Sequence, residues 1–197
     1  MKQTVTPLFS LMSAIGLLLI SNAVYAHTGV GLATGFGAGL LHPIGGFDHL
    51  LAMVAVGLWA VQMGKKAVWI VPSAFVSIMI LGGVLGISGF YIPYIETGIL
   101  ASVLVLGLLI TFAWKLPLTL SVLVVGLFAI FHGHAHGTEM PVAMGGLFYS
   151  VGFACATALL HLSGIALGMM AQKLSMEKVT RFAGVAITMS GCYLLFS

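Results

Sequence analysis

Charge is what this sequence has least of. Only 6% of its 197 residues are charged, seven Lys/Arg and four Asp/Glu, where a soluble domain carries roughly a quarter. The few charges are scattered, so the chain offers no basic stripe for nucleic acid. Cysteine is nearly as scarce. Cys155 and Cys192 stand far apart in apolar runs, which leaves no CxxC site and no disulfide framework; both thiols are expected to act as small buried hydrophobes. Gly-x4-Gly-Lys-Ser/Thr and His-Glu-x-x-His are both missing, so the chain lacks the phosphate loop of an ATPase and the helix motif of a zinc protease. The apolar runs are continuous rather than alternating, which argues against a transmembrane β-barrel.

What is present is apolar: 60% hydrophobic residues and a mean hydropathy of +1.19. These values define an integral membrane protein. The 26 glycines would weaken water-soluble helices, but small residues let transmembrane helices approach closely. Gly31, Gly35 and Gly39, Gly82 and Gly86, and Gly164 and Gly168 recur at the four-residue spacing such contacts use. At the start, Lys2 precedes an apolar stretch over residues 8–20, and Val24-Tyr25-Ala26 places small residues where a signal peptidase reads them. Cleavage is expected before His27, with 1–26 a signal peptide and 27–197 a single transmembrane domain.

At about 20 residues per span, the mature chain accommodates six helices, placed near 30–63, 67–89, 95–114, 116–132, 143–172 and 178–196. The expected fold class is therefore all-α and polytopic, with lipid bilayer as its surroundings. With His27 outside, Lys65, Lys66, Lys115, Lys173, Lys178 and Arg181 all fall inside, obeying the positive-inside rule. Both mature termini then fall on the outer side of the membrane. Phe90, Tyr91 and Tyr94 at one face, and Trp59, Trp69 and Trp114 at the other, read as interfacial belts. A homo-oligomer is compatible with this reading.

Ionisable groups inside such helices cost on the order of 2.5 to 3.5 kcal/mol each on insertion scales and usually mark function. Five of the seven histidines and two of the four acids lie in just two segments, 42–49 and 131–139. On an ideal helix His42 and His49 fall within about 20° of one another, with Met53 one turn further on. His132, His136 and Glu139 form a second stripe. Pro43, Gly45 and Gly46 allow a break in the first segment, a recurring way to build ion sites at membrane depth. Imidazole and carboxylate without thiolate suit reversible binding of borderline ions such as Ni²⁺, Co²⁺, Cu²⁺ or Zn²⁺.

The strings His42-Pro43-x-x-Gly46-x-Asp48-His49 and Phe131-His132-Gly133-x-Ala135-His136-Gly137-x-Glu139 resemble the two signature motifs of the HupE/UreJ family of nickel/cobalt permeases. The likeness extends over most of the chain. It implies secondary uptake of Ni²⁺ or Co²⁺, with the ion as substrate, no resident prosthetic group and no enzymatic activity. The first string is also similar to the His-x4-Asp-His element of larger nickel/cobalt transporters, but here five residues separate His42 from Asp48. The candidate ligands are His42, Asp48, His49, His132, His136 and Glu139. Lesser candidates are His27, whose freed α-amine would make a chelating pair, and Met53, which packing explains better than thioether ligation. His134 reads as an outer capture ligand or an exposed side chain, and His161 as a hydrogen-bonded interior histidine or a translocation residue. The rival readings are an intramembrane zinc-dependent hydrolase, a haem-binding electron carrier, and a metal-binding accessory protein without transport. Imidazoles ligate only when neutral, so uptake is expected to fall as pH drops through about 6.5. N-terminal sequencing of the protein recovered from membranes is expected to begin at His27; a retained Met1 would contradict the processing scheme.

Overall fold

The computed structural model describes residues 35–64, 66–140 and 146–196. The expected signal segment and His27 lie outside them. Seven helices are described: α1 (Gly35–Gly45), α2 (Phe47–Met63), α3 (Ala67–Ile87), α4 (Ile95–Phe112), α5 (Leu118–Thr138), α6 (Gly146–Lys173) and α7 (Glu177–Phe196). No strand occurs among the described residues. Helices α3 to α7 are each long and apolar enough to cross a membrane, and α1 with α2 makes a sixth crossing if the bent pair counts as one span.

The first span forms with the break that Pro43, Gly45 and Gly46 allow. The chain bends by 82° between α1 and α2, at Gly46, whose φ of −95° and ψ of 115° are extended rather than helical. Pro43 removes one amide donor from the end of α1, and helix geometry restarts when Leu50 N–H donates to the Gly46 carbonyl. His42 and His49 therefore do not share a helix stripe; the break, not the helical period, relates them. The fourth span also differs. It stays helical to Thr138, six residues beyond the expected end, so the second histidine segment is helix rather than loop.

Helix α2 is the axis of the bundle. Its Ala52, Met53, Ala55, Val56, Trp59 and Ala60 are fully buried, and it packs against α3, α4 and α6. The outward surfaces are apolar, with Leu81, Leu123, Leu147 and Phe182 exposed, while five histidines are buried inside. Polar inside and oily outside is the arrangement lipid demands, because no water is available in the bilayer core to satisfy exposed polar groups. Two sequence expectations change here. Trp59 is not interfacial: it is fully buried and its indole N–H donates to the Trp114 carbonyl at 2.9 Å. Cys155 is exposed on the lipid side, not buried, and Cys192 is half-buried.

Glycine sets how near the helices come. A Cβ on Gly133 of α5 would overlap the Met79 carbonyl of α3 and stand 2.9 Å from the Gly83 nitrogen; Gly82 and Gly86 meet the α5 backbone in the same way. Gly57 and Gly164 do likewise between α2 and α6. Without a hydrophobic force between helices in lipid, this backbone contact and its dispersion energy hold the pairs together. Gly133→Ala is expected to destabilise the protein by about 1 to 3 kcal/mol through overpacking. Gly83→Ala, whose Cβ would sit at an ordinary 3.5 Å from the Gly133 carbonyl, is expected to be tolerated. Thermal unfolding in detergent separates the two, and equal stabilities would contradict the close-contact argument.

Candidate metal site

The break at Gly46 places His42 at the end of α1 and Asp48 and His49 at the start of α2. The turn is tight at Gly46, where a Cβ would lie 3.1 Å from both Asp48 Oδ1 and His49 Nδ1 and would press on the two side chains. Opposite stands α5, with His132 and His136 one turn apart and Glu139 capping the helix through its N–H to the Ala135 carbonyl at 3.1 Å.

The two segments meet. The His42 and His136 rings lie 4.6 Å apart between centroids, His136 and His49 4.4 Å, and His49 and His132 4.7 Å, all edge-on. His136 is thus central to a file of four imidazoles. At the outer end, His42, His136 and Glu139 each offer a ligand atom, all within 4.8 Å of one another, with His42 Nε2 3.9 Å from Glu139 Oε2. Exposure falls along the file: the side chains of Glu139 and His42 are 40% and 21% exposed, and His132 is fully buried.

Hydrogen bonds assign the tautomers. Asp48 Oδ1 accepts from His49 Nδ1 at 2.9 Å and from the His49 backbone N–H at 2.8 Å. A carboxylate only accepts, so His49 carries its proton on Nδ1 and keeps a lone pair on Nε2. Ser102 repeats the logic for His132. Its hydroxyl donates to the Ile99 carbonyl at 2.6 Å, which leaves the oxygen to accept from His132 Nε2 at 2.9 Å, and the lone pair falls on Nδ1. Those two lone-pair nitrogens, and both nitrogens of His136, are buried without a hydrogen-bond partner among the described residues. An unsatisfied buried polar atom costs about 1 to 3 kcal/mol. Three adjacent rings offering such atoms form a ready set of neutral nitrogen donors, with Asp48 and Ser102 holding two of them in register as orienting groups do at metal sites.

Asp48 accordingly stands behind His49, a carboxylate–imidazole pair, rather than beside it. Met53 lies one turn deeper on α2 and belongs to the apolar core. His134 is neither exposed nor part of the file: it is buried, and its Nε2 donates to the Phe90 carbonyl at 2.6 Å, tying the α3–α4 turn to α5. His161 is fully interior but not hydrogen-bonded as expected, because neither nitrogen has a partner among the described residues. Sequence reasoning missed Ser102, Phe75, Tyr149 and Phe153. The last two wall the outer histidines, Phe153 at 4.1 Å from His136 and Tyr149 at 5.9 Å from His42. A serine in the otherwise apolar middle of α4 was the available signal for Ser102.

A multi-pass helical protein with a buried imidazole file, one carboxylate at its outer end and another behind an inner ring, is the class that fold and site together define. The family model described as HupE / UreJ protein matches residues 15–194. Protein HupE of Rhizobium leguminosarum bv. viciae is 46% identical over 183 residues, 93% of this chain and 95% of that protein. No solved structure matches. The chain belongs to the HupE/UreJ family, a transporter-type family connected with nickel and cobalt.

The Ser102 assignment carries its own test. Ser102→Ala strands His132 Nε2 and is expected to lower stability by about 1 to 3 kcal/mol and Ni²⁺ affinity by about tenfold or more. Calorimetry of the purified variant reads both; an unchanged affinity would contradict the orienting role.

Proposed function

We propose that this protein takes up a divalent transition ion, Ni²⁺ or Co²⁺, across the bacterial inner membrane without ATP, and that the imidazole file is its entry path. The observation that carries the reading is the set of unpaired buried nitrogens on His49, His132 and His136, arranged ring against ring. Glu139 and His42, the more exposed groups, capture the ion together with His136. His136 then shares it with His49, and His49 with His132, so each move exchanges one donor rather than stripping the ion bare. Asp48 keeps the His49 lone pair on Nε2 and stabilises the positive charge that reaches it. Neutral imidazole and carboxylate bind such ions reversibly, which release on the far side requires.

The membrane potential suffices as a drive. A doubly charged ion moving inward through 100 mV gains about 2 × 2.3, or roughly 4.6 kcal/mol. That corresponds to more than a thousandfold accumulation at about 1.4 kcal/mol per decade.

The test is uptake of labelled Ni²⁺ and Co²⁺ in cells lacking other importers, with each ion competing against the other. His42→Ala, His49→Ala and His136→Ala are expected to lose uptake by tenfold or more at equal membrane abundance, as expected for lost groups of a metal site. Asp48→Asn keeps the fold but not the charge, and is expected to raise the half-saturating concentration. Undiminished uptake in His136→Ala would end the assignment, because that ring joins both halves of the file.

A further inference from the structure

One buried histidine stands apart from the file. His161, on α6, is 1% exposed, and neither of its nitrogens has a hydrogen-bond partner among the described residues. Its ring meets the Phe75 ring edge-on at 5.1 Å between centroids, and the same Phe75 ring lies 5.7 Å from His132. One aromatic side chain therefore separates the deepest imidazole of the file from His161. The backbone sets the depth. Gly57 of α2 packs on the His161 carbonyl, and Gly57 is eight residues, about 12 Å, further along α2 than His49.

The surroundings are those of a station rather than a packing residue. One turn before His161 on α6, the fully buried Thr157 directs its hydroxyl at the Met79 sulfur, 3.7 Å away. His161 also borders a groove of about 360 Å³ between α3 and α6 whose lining includes Ser73 and Ser77, so the ring has space beside it. Pure packing at this position would be served by Phe or Leu, with no nitrogen left unpaired in an apolar layer.

We propose that His161 is an inner coordination station for the divalent ion, reached past Phe75 after the ion leaves His132. This rests on the transport reading above. The lone pair of His161 takes over from His132 as the ion passes the apolar centre, where a divalent ion without a donor would be least stable. A resident structural metal at such a site would need three or four donors, and His161 is the one histidine at this level among the described residues.

The experiment uses the purified full chain in vesicles with Ni²⁺ outside and a Ni²⁺-sensitive dye inside, alongside Co²⁺ titration in detergent read by visible absorption. His161→Phe keeps an aromatic ring and removes both nitrogens; His161→Met keeps a lone-pair donor. His161→Phe is expected to lower the initial flux by about tenfold or more, with His161→Met retaining more flux than His161→Phe. The outer file's Co²⁺ spectrum stays unchanged in both. Wild-type flux in His161→Phe overturns the proposal. So does loss of the Co²⁺ spectrum in both variants, which would mark His161 as structural. Wild-type protein that binds Co²⁺ yet passes no Ni²⁺ would overturn the transport reading itself, and this station with it.

Discussion

The site in this bundle is built on buried imidazole nitrogens that no protein group among the described residues satisfies. Four such nitrogens on His49, His132 and His136 lack partners among the described residues, and each costs about 1 to 3 kcal/mol. Set against a total stability of roughly 5 to 15 kcal/mol, that is a large fraction to leave unrecovered. A cation accepting one lone pair from each of the three neutral rings would recover part of that cost. Buried polar groups left unsatisfied in a packed interior are the kind of local conflict that function retains.

The scaffold treats the two ends of the bundle differently. Away from the file, side-chain donors bridge helices: Gln62 Nε2 donates to the Ile110 carbonyl, Gln172 Nε2 to Val61 and Arg181 Nε to Thr111. These bonds stitch α2, α4, α6 and α7 together where the helices end. Near the file, cohesion comes from glycine contacts instead, with α5 laid directly on the backbone of α3 through Gly133 and Gly137. Backbone-to-backbone contact spends no polar side chain, so the imidazoles on the other faces of α5 keep their lone pairs. The break at Gly46 does the complementary task, turning α1 away so that His42 and His49 approach the same α5 ring from different directions.

Much of this was legible in the sequence, for reasons that can be named. The helical class followed from continuous apolar runs, and the meeting of two polar segments followed from their cost in lipid. The pairing of His132 with His136 followed from a spacing of four. Other features were hidden because they depend on tertiary contact. The helical stripe through His42 and His49 failed because a break replaces the period that defines a stripe. Trp59 carries the same composition signal whether it faces headgroups or a neighbouring carbonyl, and only packing against α4 decides. His134 lies two residues from both His132 and His136, so its face of the helix was predictable, but its partner, the carbonyl of Phe90, belongs to a turn that no periodicity describes. The roles of Asp48 and Ser102 required knowing where each proton goes, which sequence spacing does not contain.

Electrostatics limits how the file can be used. Neighbouring rings are 4.4 to 4.7 Å apart, so two divalent ions held at adjacent positions would be separated by about that distance. Their repulsion, four times that of unit charges, is roughly 15 kcal/mol even at an effective dielectric of 20, more than shared imidazole donors would return. On the uptake proposed above, the file would hold one ion at a time, its four rings serving successive positions of a single cation rather than a cluster. Sequential occupancy of that kind would ask His136 to serve both halves. A ring that left the outer carboxylate before engaging His49 would expose the ion to hydrocarbon, whereas a ring in contact with both lets the coordination shell change one donor at a time.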